Sequence, residues 1–316
     1  MPVRVVMLAD PFDPACLSHI SACLAELSSG RAERAALILI AGENCGAGAD
    51  DRWRMLCAAA SCSKQLIPLR LPPKAGPADG GSLKRFVRKK IPDAAPYQIS
   101  DSVPGEGLCP SVAEYTALKQ LYGASSYLEG AGPWVDQLFE ALNPHRFAHS
   151  LAVARTSVEL ALRFGIDPVK AEEAGLLHDC AKCLSLPEMQ KTVRKHRMAV
   201  DPDLLSASSL LHSLAGACVA QDRYGVEDPE ILEAIEYHNT GHEGMSPLAR
   251  VVCLADFMEP NREPFPLLEE VRALAQVSLD RALLLSLEGV AAHVSSKGKK
   301  LHPRTLNTIA WLKTII

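Results

Sequence analysis

The chain has 316 residues, 48% of them hydrophobic and 22% charged, with a formal net charge of -4; this ordinary balance predicts a soluble protein of about two domains. No basic excess points to nucleic acid as a main partner. No apolar run is long enough to span a bilayer, and the first residues lead into a strand pattern rather than a signal peptide, so a cytoplasmic protein with no membrane partner is expected. The ten cysteines lack the dense spacing of a secreted disulfide scaffold and read mostly as small buried hydrophobes.

In chain order, Val3-Arg4-Val5-Val6-Met7-Leu8 fits a buried parallel strand and is followed by the turn Ala9-Asp10-Pro11-Phe12-Asp13-Pro14. A helix is predicted over 17–27, a second strand over 35–40 and a second helix over 51–60. That alternation predicts an α/β sheet. Residues 63–98 mix short apolar pieces with Pro, Gly and Lys-Arg clusters, and only a strand at 65–69 can be placed there.

Phe12-Asp13-Pro14-Ala15-Cys16-Leu17-Ser18-His19 resembles the first turn of the nicotinate mononucleotide adenylyltransferases, Gly-x-Phe-Asp-Pro-x-His-x-Gly-His. Cys16 stands for the first histidine, Ser18 for the glycine and Ala9-Asp10 for a glycine pair, while His19 is retained. Asp51-Arg52-Trp53-Arg54-Met55-Leu56 is similar to that family's arginine-methionine helix. Ile99-Ser100-Asp101-Ser102 is similar to its Ile-Ser-Ser-Thr motif without the following arginine, and Pro110-Ser111-Val112-Ala113-Glu114-Tyr115 to Gly123 is similar to its closing segment. The resemblance implies a Rossmann-like nucleotidyltransferase fold that has lost much of its phosphate cradle and its activity.

A Gly- and Ser-rich stretch predicts a boundary near 130, with domains at 1–125 and 134–316 and a linker at 126–133. Beyond it the pattern is helical. Asn143-Pro144, Asp167-Pro168, Asp201-Pro202, Asp228-Pro229 and Ser246-Pro247 each pair a capping residue with proline, the mark of a helix start. Helices are predicted near 145–164, 168–184, 206–224, 229–239 and 247–258, with more after 267; Gly165 and Gly225 fit left-handed C-terminal caps. The result is an all-α bundle.

Gly175-Leu176-Leu177-His178-Asp179-Cys180-Ala181-Lys182 places a histidine beside an aspartate in an apolar helical run. Burying both calls for a cation. His149, His212, His238 and Asp256 fall in or at the ends of other predicted helices, and facing helices can bring such groups to one metal ion. Mixed imidazole and carboxylate donors suit iron, manganese or zinc rather than magnesium, calcium or a structural zinc. Lys182, one turn beyond His178, can reach the same place. His145 and His242 read as surface residues, and Cys180 and Cys183 as packing.

Residues 145–305 resemble the YqeK-like branch of the HD-domain phosphohydrolases, which cleave diadenosine tetraphosphate symmetrically with iron. The match runs through Arg146-Phe147-Ala148-His149, Ala174 to Lys182, Leu211-His212-Ser213, Glu236-Tyr237-His238-Asn239, Asp256-Phe257-Met258-Glu259-Pro260-Asn261-Arg262 and Lys297 to Thr305. It implies iron, as one ion or two, held by His149, His178, Asp179 and Asp256. It also implies that Asp179, Lys182, His212 and His238 are catalytic. His149, Lys182, His212, His238, Asn239, Asp256, Arg262, Lys299, Lys300, His302 and Arg304 would face the substrate. Asn239 departs from the usual threonine, and both can donate to a phosphate or ribose.

The expected protein is thus a degenerate adenylyltransferase-like domain joined to a metallophosphohydrolase acting on a dinucleoside polyphosphate, with a homodimer left open. Three alternatives stand beside it: an HD enzyme for another nucleotide, a working adenylyltransferase in the first domain, and a non-catalytic nucleotide sensor.

Overall fold

The computed structural model describes residues 2–40, 42, 45–72, 80–98, 107–198 and 200–316. It divides into two compact units, Met1–Ser125 and Ser126–Ile316.

In the first unit, β1 (Val3–Asp10), α1 (Leu17–Ser28), β2 (Arg34–Leu39), α2 (Ala49–Ala60), β3 (Leu66–Arg70), α3 (Gly80–Lys90), β4 (Ala94–Gln98) and α4 (Pro110–Leu118) build an α/β layer structure. The four strands are parallel in the order β3-β2-β1-β4. Val5, Val6 and Met7 of β1 and Ala35 to Ile38 of β2 are fully buried, as strands covered on both faces must be. The outer strands carry Pro68 and Pro96, paired with Leu37 and Val5. Proline lacks a ladder donor and is tolerated at a sheet edge. β1 lies where the strand order reverses, so the turn after it occupies the usual ligand crevice of such sheets.

Among the elements here that were not expected are α3 and β4. In α3 only Leu83, Phe86 and Val87 turn inward, a narrow stripe among Lys84, Arg85, Arg88, Lys89 and Lys90. In β4 the sequence Ala-Ala-Pro-Tyr-Gln carries no β-branched residue. The motif at residues 99–102 lies outside the described residues.

The second unit is all helix: α5 (Gly132–Ala141), α6 (Pro144–Phe164), α7 (Pro168–Leu177), α8 (Leu186–Lys195), α9 (Pro202–Ser206), α10 (Ser208–Tyr224), α11 (Pro229–Tyr237), α12 (Pro247–Met258), α13 (Pro266–Leu274), α14 (Leu279–Ser296) and α15 (Pro303–Ile315). The cap-proline pairs work as expected. Asn143, Asp167, Asp201, Asp228 and Ser246 each accept a backbone N–H from the first turn that follows. Gly165 and Gly225 end α6 and α10 at φ 69° and 72°.

The stretch expected as a linker packs within this unit instead. Leu128 and Ala131 are buried, the Leu128 N–H donates to the Glu172 carboxylate at 2.6 Å, and α5 begins at Gly132. The helix predicted to run to 184 stops at Leu177. Residues 178–184 continue as three-residue turns, with Cys180, Lys182 and Leu184 N–H donating to the carbonyls of Leu177, Asp179 and Ala181. That tightening brings His178, Asp179 and Lys182 toward one point. Among the described residues no helix is long and apolar enough to cross a membrane.

Candidate metal centre and active site

The centre forms where α6, α7, α10, α11 and α12 meet. Gly175 permits the closest approach: a Cβ there would stand 2.8 Å from both Ala154 Cα and Ser157 Oγ of α6. With α7 pressed onto α6, His178 Nε2 comes to 3.3 Å from His149 Nε2.

Three imidazoles have their outer nitrogen held. His178 Nδ1 donates to the Gly175 carbonyl at 2.7 Å, and His238 Nδ1 to the Ile235 carbonyl at 2.7 Å. Each histidine follows the last residue of its helix and bonds three residues back. His149 Nδ1 stands 3.2 Å from Glu259 Oε1. Carbonyls and carboxylates only accept, so all three rings carry hydrogen on Nδ1 and turn Nε2 to the centre. Two such nitrogens at 3.3 Å need a positive charge between them, either a proton or a metal ion.

The carboxylates complete the cluster. Asp256 Oδ1 lies 3.0 Å from His149 Nε2. Asp179 Oδ1 lies 3.2 Å from His212 Nε2, 3.4 Å from Lys182 Nζ and 3.7 Å from His238 Nε2. Its Oδ2 accepts from Arg146 Nη1 at 3.0 Å and stands 3.7 Å from His178 Nε2. Two overlapping groups, His149–His178–Asp256 and His178–Asp179–His238, have donor atoms all within 4.8 Å of one another.

Burial sets the electrostatics. It raises Asp179 and Asp256, but His178 and His212 around the first and His149 beside the second outweigh it, and both carboxyls sit well below their usual range. Burial lowers His178, and lowers His238 to about 3 with the help of His178 and His212. Burial also lowers His149, yet Asp256 and Glu259 win and its pKa stands at about 9. Lys182 is pulled down by burial against the attraction of Asp179. These residues fit a divalent transition ion. Asp179 Oδ1 is buried without a hydrogen bond of adequate geometry; the Lys182 ammonium at 3.4 Å balances its charge, and a metal ion would take the lone pairs that no hydrogen fills.

Beside the cluster opens a cavity of about 700 Å3 whose lining includes His238, Asn239, Asp256 and Arg262 together with Phe257, Phe265, Leu287, Val290 and His293. Arg262 forks onto Asp256, with Nη2 2.8 Å from Oδ1 and 2.7 Å from the carbonyl. Asn239 Nδ2 donates to the Ser209 carbonyl at 2.8 Å.

His149, His178, Asp179, Lys182, His212, His238, Asn239, Asp256 and Arg262 are therefore brought together. The basic segment is placed elsewhere. His302 caps α15, accepting the Arg304 N–H at 3.2 Å, and Arg304 pairs with Glu236 at 3.5 Å over the Tyr237 ring. Both line a separate depression of about 330 Å3 with Asp201, His242 and Glu243. Lys299 and Lys300 are exposed and line neither hollow. His145 is exposed, whereas His242 stacks on Tyr237 with centroids 4.5 Å apart.

Sequence reasoning gave no role to Arg146 or Glu259. Each is three residues from a candidate ligand, His149 and Asp256, hence on the same helical face, and that spacing was a usable signal. Phe265 and His293 had none, since they reach the cavity from other segments.

In the α/β unit the turn after β1 is filled by its own side chains. The Asp13 carboxylate accepts from the Gly46 and Ala47 N–H groups and the Tyr122 hydroxyl. Arg52 Nη1 donates to the Pro11 carbonyl at 2.9 Å. His19 Nδ1 accepts the Cys16 N–H at 3.0 Å, and its Nε2 lies 3.9 Å from Asp10.

Known proteins resemble the helical unit. A model of the HD domain matches residues 146–261. The symmetrical bis(5'-nucleosyl)-tetraphosphatase of Bacillus subtilis (strain 168) is 39% identical over 174 residues, 55% of this chain and 92% of that protein. A probable nicotinate-nucleotide adenylyltransferase/Ap4A hydrolase of Mycoplasma genitalium is 30% identical over 150 residues, 46% of this chain and 42% of that one. Among solved structures, a predicted HD superfamily hydrolase involved in NAD metabolism from Clostridium acetobutylicum aligns with TM-score 0.58 and 35% identity, over 60% of this chain and 100% of its own. With the His-Asp pair of that domain at the centre of the cluster and a tetraphosphatase matched over nearly its whole length, the chain belongs to the HD-domain hydrolases of the symmetrical bis(5'-nucleosyl)-tetraphosphatase family.

Proposed function

We propose that the helical unit hydrolyses diadenosine tetraphosphate to two ADP at a centre that holds iron, with manganese or zinc able to take its place. The observation that carries this reading is the buried cluster of imidazoles and carboxylates, with Asp179 Oδ1 unsatisfied, on the wall of a cavity large enough for a nucleoside. His149, His178, Asp179 and Asp256 would hold the metal, and His238 is close enough to join a second group through His178 and Asp179. A bound ion of this kind acidifies a water and polarises a phosphoryl oxygen.

The chain's own residues do the rest. Phe257 and Phe265 line the cavity for the base, while Arg262, whose Nε and Nη2 are held by Asp256, would turn Nη1 to a phosphate oxygen. Lys182 and Arg262 offset the charge that spreads over the phosphoryl group as it transfers. His212, with Nε2 2.8 Å from Lys182 Nζ and 3.2 Å from Asp179 Oδ1, is placed to relay the proton released by the attacking water. Water adds at the second phosphate from one adenosine, the bond to the third phosphate breaks, and the leaving oxygen departs as the other ADP.

Early products from unlabelled substrate test this directly. ADP alone is expected by chromatography, and equal ATP and AMP would reject the symmetric assignment. A panel of other nucleotides should be cut more slowly; a monophosphate or an alarmone turned over faster would move the substrate class.

We also infer that the α/β unit makes no dinucleotide from ATP and nicotinate mononucleotide. Cys16 stands for the family's first histidine, and Asp10, in place of a glycine, puts a carboxylate 3.9 Å from the retained His19, where a phosphate would need positive charge. No pyrophosphate above background is expected from the full chain in that assay. Release at ordinary enzyme rates would prove the inference wrong.

A further inference from the structure

We propose that Glu259 is a positioning residue that sets two parts of the site at once, the tautomer of His149 and the seat of the loop carrying Arg262. Its side chain is 3% exposed. Oε1 lies 3.2 Å from His149 Nδ1 and 3.9 Å from Arg262 Nε, and Oε2 accepts the Asn261 N–H at 2.6 Å. The backbone is held as well: Arg272 donates through Nε to the Met258 carbonyl at 3.0 Å and through Nη2 to the Glu259 carbonyl at 2.9 Å. A buried carboxylate is costly unless both oxygens are used, and here each serves a different element. One oxygen keeps the His149 hydrogen on Nδ1 and so frees Nε2 for a metal, and the other pins the start of the loop.

The two roles need different chemistry, which makes them separable. In Glu259→Gln the Asn261 N–H can be met only by the amide oxygen. The NH2 then faces His149 Nδ1 as a donor, Nδ1 must accept, and the ring hydrogen moves to Nε2, where it blocks ligation. In Glu259→Met the volume is filled but no acceptor remains for either partner.

The inference rests on the proposed reading only in taking His149 as a ligand. Its test uses the full chain, stripped of metal, titrated with Mn2+ by calorimetry and then with ADP at saturating Mn2+. Glu259→Gln should weaken Mn2+ binding about tenfold to a hundredfold, the range for an outer partner of a ligating histidine. It should leave ADP affinity near that of the native chain, while the metal-free Tm falls because the buried His149 imidazolium loses one of its two carboxylate partners. Glu259→Met should weaken both Mn2+ and ADP. Native Mn2+ affinity in Glu259→Gln, or native ADP affinity in Glu259→Met, would overturn the proposal. So would a lowered metal-free Tm with Mn2+ affinity intact, the outcome of a merely structural role. His149→Ala in the same titration separates the layers. If it binds Mn2+ as the native chain does, the metal site is misassigned; if only it loses Mn2+, the Glu259 proposal alone fails.

Discussion

Asp179→Ala is expected to bind no metal at the concentrations that saturate the native chain and to lose hydrolysis by on the order of a thousandfold or more, about 4 kcal/mol of barrier. The reason is position. Asp179 is the one carboxylate facing His178, His212, His238, Lys182 and Arg146 together. Without it the cation loses a ligand, and two buried or half-buried cations, Lys182 and Arg146, lose their counter-charge and repel both the metal and each other. Metal content by elemental analysis, turnover, and the rise in Tm on adding Mn2+ report the effect independently. A ligand that binds only the folded state raises Tm, so the native chain should show that rise and the variant should not. Retained metal with full activity would remove Asp179 from the centre.

Lys182→Met should leave metal content unchanged and lower kcat/KM by on the order of a hundredfold to a thousandfold, the scale for removing one preorganised charge from a phosphoryl-transfer site. The Lys182 ammonium contacts His212 at 2.8 Å and Asp179 at 3.4 Å but, among the described residues, no carbonyl or exposed carboxylate, so it serves the centre rather than the surface. Methionine keeps the apolar stem that packs there and removes only the charge. Steady-state kinetics with parallel metal analysis decide the outcome. Unchanged kcat/KM would end the catalytic role, and loss of metal together with activity would make Lys182 a support for Asp179.

The sequence by itself determined where the helices of the second unit begin. A capping side chain followed by proline is a local rule, satisfied within one turn, and Asn143, Asp167, Asp201, Asp228 and Ser246 obey it without help from distant residues. The buried strands β1 and β2 were legible for a similar reason, since an apolar run bounded by turn residues has few other uses. The candidate ligands were legible because polar groups in apolar helices are costly and stand out. Gly165 and Gly225 likewise marked the ends of α6 and α10, whereas tertiary structure decided the end of α7 and the meetings. Where α7 stops is set by His178 reaching back to Gly175 and inward to His149, a contact across 29 positions of chain. α3 and β4 are held by one thin apolar stripe and a sheet edge, which periodicity over so few residues does not reveal. The family resemblance implied that the basic segment faces the substrate; in this structure Arg304 pairs with Glu236 over the Tyr237 ring, and Lys299 and Lys300 are exposed. Charge along a chain does not state its direction in space; only the packing of α15 decides that, just as only the close approach allowed by Gly175 turns scattered histidines into one centre.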